Sequence, residues 1–343
     1  MSKVAVIGAG SWGTAFTGLV AKNADEVSLW CHSAADAVRI NAERHNPRYL
    51  ADYVFAGNVC ATHSFGEAVA NASAVVMAVP STHLRSVCEG LAASLGAEVP
   101  VLVLTKGIEP GSGLLMTEVA GEALGNPGRV AGLSGPNHAE EVCRQLPAAA
   151  VIAGEDPALC ERLRSLVATP NFRVYVSDDV RGVELCGAVK NVVAIACGMC
   201  VGYGCGDNTL ALVMTRGLAE IGRVVRACGG NPMTCMGLAG MGDLVATCTS
   251  EHSRNRRFGE AFVRGATVED FERQTHMVVE GAHAVRSLRE VARAHGVEVP
   301  LADAVWAVLY DGCDLEAMGV RLMGRAATEE FYGMAPHDER RDS

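Results

Sequence analysis

One lysine stands where a lysine is costly. In Leu185-Cys186-Gly187-Ala188-Val189-Lys190-Asn191-Val192-Val193-Ala194-Ile195-Ala196, Lys190 is the only charged side chain. An ammonium buried in such a stretch must be paired, and burial favours the neutral amine. A lysine so placed can give a proton to a carbonyl oxygen as hydride reaches the carbon. It can equally be half of a structural ion pair or a snorkelling stem. A second isolated charge, Asp243, sits in Leu238-Ala239-Gly240-Met241-Gly242-Asp243-Leu244-Val245. That carboxylate can orient Lys190, bond a substrate hydroxyl, or cap a helix that starts before Leu244.

A third cluster suits an anion. Ser253-Arg254-Asn255-Arg256-Arg257 packs three arginines into four residues of an acidic chain. Ser253 is a good N-cap for a helix over 255–264. An anion there would meet a hydroxyl, an amide, a helix N-terminus and a guanidinium fork. The alternative is a solvated basic helix face. Arg254 is the expected ligand, with Arg256 and Arg257 at the surface. Two loops after strand-like runs carry further polar groups: Thr105-Lys106-Gly107 and Ser134-Gly135-Pro136-Asn137-His138.

The N-terminus reads Gly8-Ala9-Gly10-Ser11-Trp12-Gly13, directly after the strand-like Val4-Ala5-Val6-Ile7. This fits G-x-G-x-x-G opening a helix. Gly8 permits a tight turn, Gly10 lets backbone approach a pyrophosphate, and Gly13 allows close helix–strand packing. The next strand ends Leu29-Trp30-Cys31-His32-Ser33 with no carboxylate, so nothing there repels a 2′-phosphate. His32 can bond such a phosphate, flank the adenine, or be an ordinary loop histidine. The pattern admits NADPH or NADH and favours NADPH.

These residues need a scaffold. Short apolar runs at 4–8, 27–30, 74–79, 101–104, 130–133, 148–152 and 172–176 read as strands buried on both faces of a parallel sheet. Helical patterns such as 14–22, 114–123 and 157–167 alternate with them. The expected architecture is α/β, an N-terminal doubly wound Rossmann sheet over 1–188. Beyond about 180 strand-like runs stop, and helices over 183–199, 209–228, 281–294 and 302–309 suggest an all-α domain over 189–343.

The bulk properties agree. The chain has 343 residues, 49% of them hydrophobic, and a formal net charge of −10. That charge argues against a nucleic-acid surface, which needs clustered cations. No export signal and no uncharged apolar run of membrane length is evident, so a cytoplasmic protein without a membrane span is expected. Thirteen cysteines then read as reduced thiols. Cys197-x-x-Cys200 reads as small buried helix residues rather than a metal or redox site, and no metal is expected. The polar tail over 336–343 is expected to fray.

Together these segments resemble the bacterial-type NAD(P)-dependent sn-glycerol-3-phosphate dehydrogenases. The resemblance covers nearly the whole chain, through Gly8–Gly13, Thr105-Lys106-Gly107, Ser134-Gly135-Pro136, Cys186–Cys197, Gly206-Asp207-Asn208, Gly237–Asp243 and Ser253–Arg257. It implies a Rossmann domain followed by a helical domain like that of 6-phosphogluconate dehydrogenase. It implies reduction of dihydroxyacetone phosphate to glycerol 3-phosphate for phospholipid synthesis. By the matching motifs, Lys190 is the proton donor or acceptor. Lys106, Gly135, Asn137, Asp243, Ser253, Arg254 and Asn255 would line the substrate, and Ser11, Trp12, His32, Lys106, Ala139, Arg254, Val278 and Glu280 would touch the cofactor. The family pattern has Ser or Thr and then an aromatic where this chain has Asn137-His138. A homodimer is the expected assembly.

Overall fold

A computed structural model describes residues 2–326, 329–330 and 332–334, so the tail over 336–343 lies outside the described residues. The chain divides into two compact units, Met1–Glu184 and Leu185–Ser343. The division falls a few residues before the expected junction at 188, inside the helix Val180–Tyr203.

The first unit is built on β1 (Lys3–Ile7), β2 (Glu26–Trp30), β3 (Val59–Thr62), β4 (Ala74–Met77), β5 (Val101–Val103), β6 (Val130–Ser134), β7 (Ala148–Ala153) and β8 (Phe172–Ser177). They form one sheet in the order β3-β2-β1-β4-β5-β6-β7-β8. Strand order reverses beside β1, which pairs in parallel with both β2 and β4. That switch point opens a crevice at the carboxyl ends of the strands, the usual ligand position of such sheets. The helices are α1 (Ser11–Val20), α2 (Ala34–Glu43), α3 (Phe65–Val69), α4 (Leu84–Ala92), α5 (Met116–Ala123), α6 (Ala139–Cys143) and α7 (Pro157–Val167). Alternate strand residues feed two apolar cores. Val4, Val6, Phe16, Leu29 and Ile152 pack on one face, and Ala5, Ile7, Met77, Leu91 and Met116 on the other.

Two features depart from the sequence expectation. β3 lies on the sheet edge with a buried–exposed alternation, so it never forms the continuous apolar run of a central strand. β7 runs antiparallel to β6, with Leu133 opposite Ile152. A parallel return needs a crossover helix long enough to retrace the strand. The β6–β7 link contains only the five-residue α6, and the chain comes straight back instead.

The second unit holds α8 (Val180–Tyr203, begun in the first unit), α9 (Asp207–Ala227), α10 (Asp243–Thr249), α11 (Arg254–Val263), α12 (Val268–Thr275), α13 (Glu280–Ala294), α14 (Pro300–Tyr310) and α15 (Leu315–Met323). α8 is long and apolar enough by composition to cross a membrane, yet most of it is buried inside the protein. A helix that is apolar all round belongs in a core or a bilayer, and this one is the unit's core. Glycines on both helices bring α8 and α11 to backbone contact: a Cβ on Gly198 of α8 would lie 2.0 Å from the Arg256 carbonyl oxygen, and one on Gly259 of α11 2.3 Å from that of Ile195.

Each unit also buries a carboxyl at a helix start. Glu184 accepts from the Thr117 backbone N–H at 3.0 Å and from its hydroxyl, at the beginning of α5. Glu220 accepts from the backbone of Leu301 at 2.9 Å and Ala302 at 3.0 Å, opening α14. Burial outweighs these bonds and pushes both carboxyls up to about 7.

Candidate active site

The glycine loop leaves β1 and enters α1 with three different glycine roles. Gly8 has φ +116°, and a Cβ there would lie 2.6 Å from the Ala78 carbonyl oxygen. Gly13 is packed so closely that its Cβ would lie 1.9 Å from the Gly8 oxygen. Gly10 is the reverse, because a Cβ there meets nothing within 4 Å. It also occupies the N-cap of α1, where no side chain caps the helix. Bare N–H groups, a helix dipole and open space beside a Cβ-less residue fit a pyrophosphate. Buried Asn46 pins the loop, donating to the Ala9 carbonyl and the Thr14 hydroxyl, both at 2.8 Å. Asn46 escaped the sequence reading, since an isolated asparagine in a loop carries no signature.

Ser11 and Trp12 open α1, and Trp12 stands edge-on to Phe16 at 5.4 Å. His32 lies just past β2, exposed, with its ring edge-on to Trp30 at 6.1 Å. Lys106 follows β5 and reaches the Gly135 carbonyl at 3.5 Å, so the two loops after β5 and β6 meet. Gly135 has φ +150°, and a Cβ there would strike the β7 backbone, 2.7 Å from the Ala149 oxygen. Asn137 donates to the Pro136 and Ala149 carbonyls, both at 2.9 Å. Both amide hydrogens are thereby spent on backbone. Ala139 is the first residue of α6, with His138 at its N-cap.

In the second unit Lys190 is 6% exposed, Asp243 2% and Thr247 5%. The Lys190 ammonium donates to Asp243 Oδ1 and, at 2.7 Å, to Thr247 Oγ1. Thr247 in turn donates to Asp243 Oδ1 at 3.3 Å. Gly242 holds the N-cap position of α10, so the capping alternative for Asp243 falls away. Leu238–Gly242 before it is a single wide π turn, closed by the Gly242 N–H on the Gly237 carbonyl at 3.1 Å. Such turns often mark functional sites. Thr247 lies one turn beyond Asp243 on the same helix face, a spacing that could have revealed it.

Ser253 caps α11 by accepting from the Arg256 N–H, as its sequence suggests. Asn255 is buried and joins three helices. It donates to Asn191 Oδ1 on α8 at 3.0 Å and accepts from the Gly281 N–H on α13 at 2.9 Å. Asn191 directly follows Lys190, so the start of α11 is tied to α8 one residue from the lysine. Arg254 is exposed and touches the Val278 carbonyl at 3.5 Å, and Glu280 begins α13 just beyond. Arg256, expected at the surface, is instead partly buried and paired with Glu260 at 3.1 Å. Its place on the α8-facing side of α11 explains this. Arg257 is exposed.

Chemically, the first unit offers a dinucleotide cradle. The second offers a buried ammonium beside a helix start rich in anion-binding groups. Comparison with known proteins agrees. Residues 3–160 match the family model described as NAD-dependent glycerol-3-phosphate dehydrogenase N-terminus. Residues 179–319 match that of the C-terminus. A glycerol-3-phosphate dehydrogenase [NAD(P)+] from Thermobifida fusca is 45% identical over 336 residues, covering 97% of this chain and 100% of the relative. A crystal structure of glycerol-3-phosphate dehydrogenase from Coxiella burnetii superposes with a TM-score of 0.89 at 36% identity, covering 94% of this chain and 99% of that one. A ketopantoate reductase of the PanE/ApbA family from Ralstonia eutropha shares the fold at 19% identity, with a TM-score of 0.61 over 94% of this chain and 99% of that one.

Proposed function

The chain belongs to the NAD-dependent glycerol-3-phosphate dehydrogenase family, and from that premise we propose that it reduces dihydroxyacetone phosphate to sn-glycerol 3-phosphate, reversibly, for glycerophospholipid synthesis. The observation that carries the reading is the buried Lys190–Asp243–Thr247 cluster, tied through Asn191 and Asn255 to the start of α11. The bound reduced nicotinamide supplies hydride to C2 of the ketone.

Lys190 donates a proton to the C2 oxygen as its negative charge develops. Asp243 and Thr247 hold the ammonium in one orientation, so little reorganisation accompanies transfer. Arg254, Ser253, Asn255 and the first N–H groups of α11 grip the phosphate. Lys106, Gly135 and Asn137 line the substrate, Asn137 as an acceptor through Oδ1. Gly8, Gly10 and Gly13 shape the pyrophosphate cradle, with Ser11, Trp12, His32, Lys106, Ala139, Arg254, Val278 and Glu280 touching the cofactor. NADPH and NADH both serve, with NADPH preferred because the end of β2, Leu29–Ser33, carries no carboxylate. The enzyme works as a cytoplasmic homodimer, a state that sedimentation velocity reads directly.

The test is oxidation of NADPH or NADH, followed by absorbance, with dihydroxyacetone phosphate as substrate. Turnover should vanish with unphosphorylated dihydroxyacetone. Cofactor binding without turnover on the phosphate ester would overturn the assignment.

A further inference from the structure

We propose that Cys200 and Cys205 form a reversible, oxidant-responsive disulfide site at the carboxyl end of α8. α8 ends in a Schellman turn. The Cys205 N–H bonds the Cys200 carbonyl at 2.9 Å, and the Gly204 N–H bonds the Val201 carbonyl at 3.0 Å. Gly204 takes the left-handed conformation the turn requires, with φ +91°. This backbone pattern brings the side chains three residues before the cap and two after it into contact, normally as an apolar pair. Here both are cysteines. The six-to-one backbone bond draws the two residues together across the turn, and a disulfide needs Cα atoms about 4.4–6.8 Å apart.

Proximity alone is common in this unit. Cys186 and Cys235 lie with sulfurs 3.6 Å apart, and Cys197 meets Cys248. Those four thiols are buried, whereas Cys200 and Cys205 are both partly exposed. Access therefore singles out the pair at the turn. Cys205 lies beyond the end of α8 and Cys200 within its last turn, where burial pushes its thiol up to about 12, so Cys205 is taken as the sulfur that meets the oxidant.

With hydrogen peroxide as oxidant, Cys205 thiolate attacks one peroxide oxygen and the O–O bond breaks. Hydroxide leaves, takes up a proton and becomes water, and Cys205 becomes a sulfenic acid. Cys200 sulfur then attacks Cys205 sulfur, the S–O bond breaks, and the Cys200 proton joins the departing hydroxide as a second water. Two thiols are oxidised and one peroxide is reduced. A dithiol reverses the bond by exchange.

Cleavage after Lys190 and Arg216 isolates a peptide over 191–216 that contains Cys197, Cys200 and Cys205 and no other cysteine. The whole protein is treated with peroxide, alkylated under denaturing conditions, digested and weighed. The peptide should take up two alkyl groups fewer than its reduced control, keep the one on Cys197, and regain both after dithiothreitol. In Cys205→Ser the remaining thiols should stay alkylatable. In Cys200→Ser, Cys205 should stop at a sulfenic acid. Three alkyl groups on the treated peptide, under conditions that have oxidised exposed Cys60 and Cys313, would overturn the proposal. So would equally fast joining of Cys186 to Cys235.

Discussion

At the scale of single residues, the buried pair dominates. Lys190→Ala removes the proposed proton donor, and general-acid catalysis of this kind is worth about 10²–10⁴ in rate. We expect kcat to fall by that factor while a fluorescence titration shows cofactor binding unchanged. The same change leaves Asp243 buried without its counter-charge, and breaking a buried pair costs about 3–5 kcal/mol. The Lys190→Met/Asp243→Leu double variant should recover most of that stability and none of the activity, which thermal melts and steady-state kinetics separate. Near wild-type turnover by Lys190→Ala would sink the donor role. Arg254 acts differently, because it is exposed and its contact to the Val278 carbonyl is long. Arg254→Ala should raise KM for the phosphate ester by about 10–100-fold, the worth of a lost charge-assisted bond of about 1.5–3 kcal/mol, with the melting temperature unmoved.

At the scale of elements, the glycines divide into those that hold the fold and one that leaves room for a ligand. Gly10→Ala meets nothing in the protein, so the fold should be unaltered while cofactor affinity falls. Gly13→Ala forces a methyl onto the Gly8 carbonyl, so stability itself should drop by about 1–3 kcal/mol. Calorimetry of the two variants with and without NADPH checks both. Much of this was legible in the sequence. Val4–Ile7 followed by the glycines announces a strand, a turn and a helix, and Ser253 announces the α11 cap. Less legible was whatever depends on partners far apart in the chain. Asn255 matches a motif, but its bonds to Asn191 and Gly281 span three helices. Edge strand β3 and the reversed β7 follow from neighbours rather than from their own composition. Cys200 was expected to be buried with Cys197, and the end of α8 leaves it partly exposed instead.

At the scale of the whole molecule, Glu184 and Glu220 make stability depend on pH in both units. Each carboxyl titrates near 7 when folded, against an ordinary value of 4.5. A raised folded value means that folding takes up protons between those two points. Their stabilising contribution is therefore complete below pH 4.5, is lost as pH rises towards 7, and levels off above it. At about 1.4 kcal/mol per unit, each contributes a change of about 3 kcal/mol. Urea unfolding across that range should show the decline, and Glu184→Gln or Glu220→Gln should flatten part of it. An unchanged slope in both variants would mean the carboxyls are ionised in the folded state.

The open space beside Gly10 also has a meaning in descent. Gly8 and Gly13 answer to the chain's own backbone, and Gly10 answers to something outside it. A lineage that stopped using dinucleotides would keep the first and last glycines for as long as it kept the turn. The middle one would drift freely to alanine or serine. Among distant descendants of this fold, the middle position alone thus separates the units that still carry a nucleotide from those that have inherited only its mould.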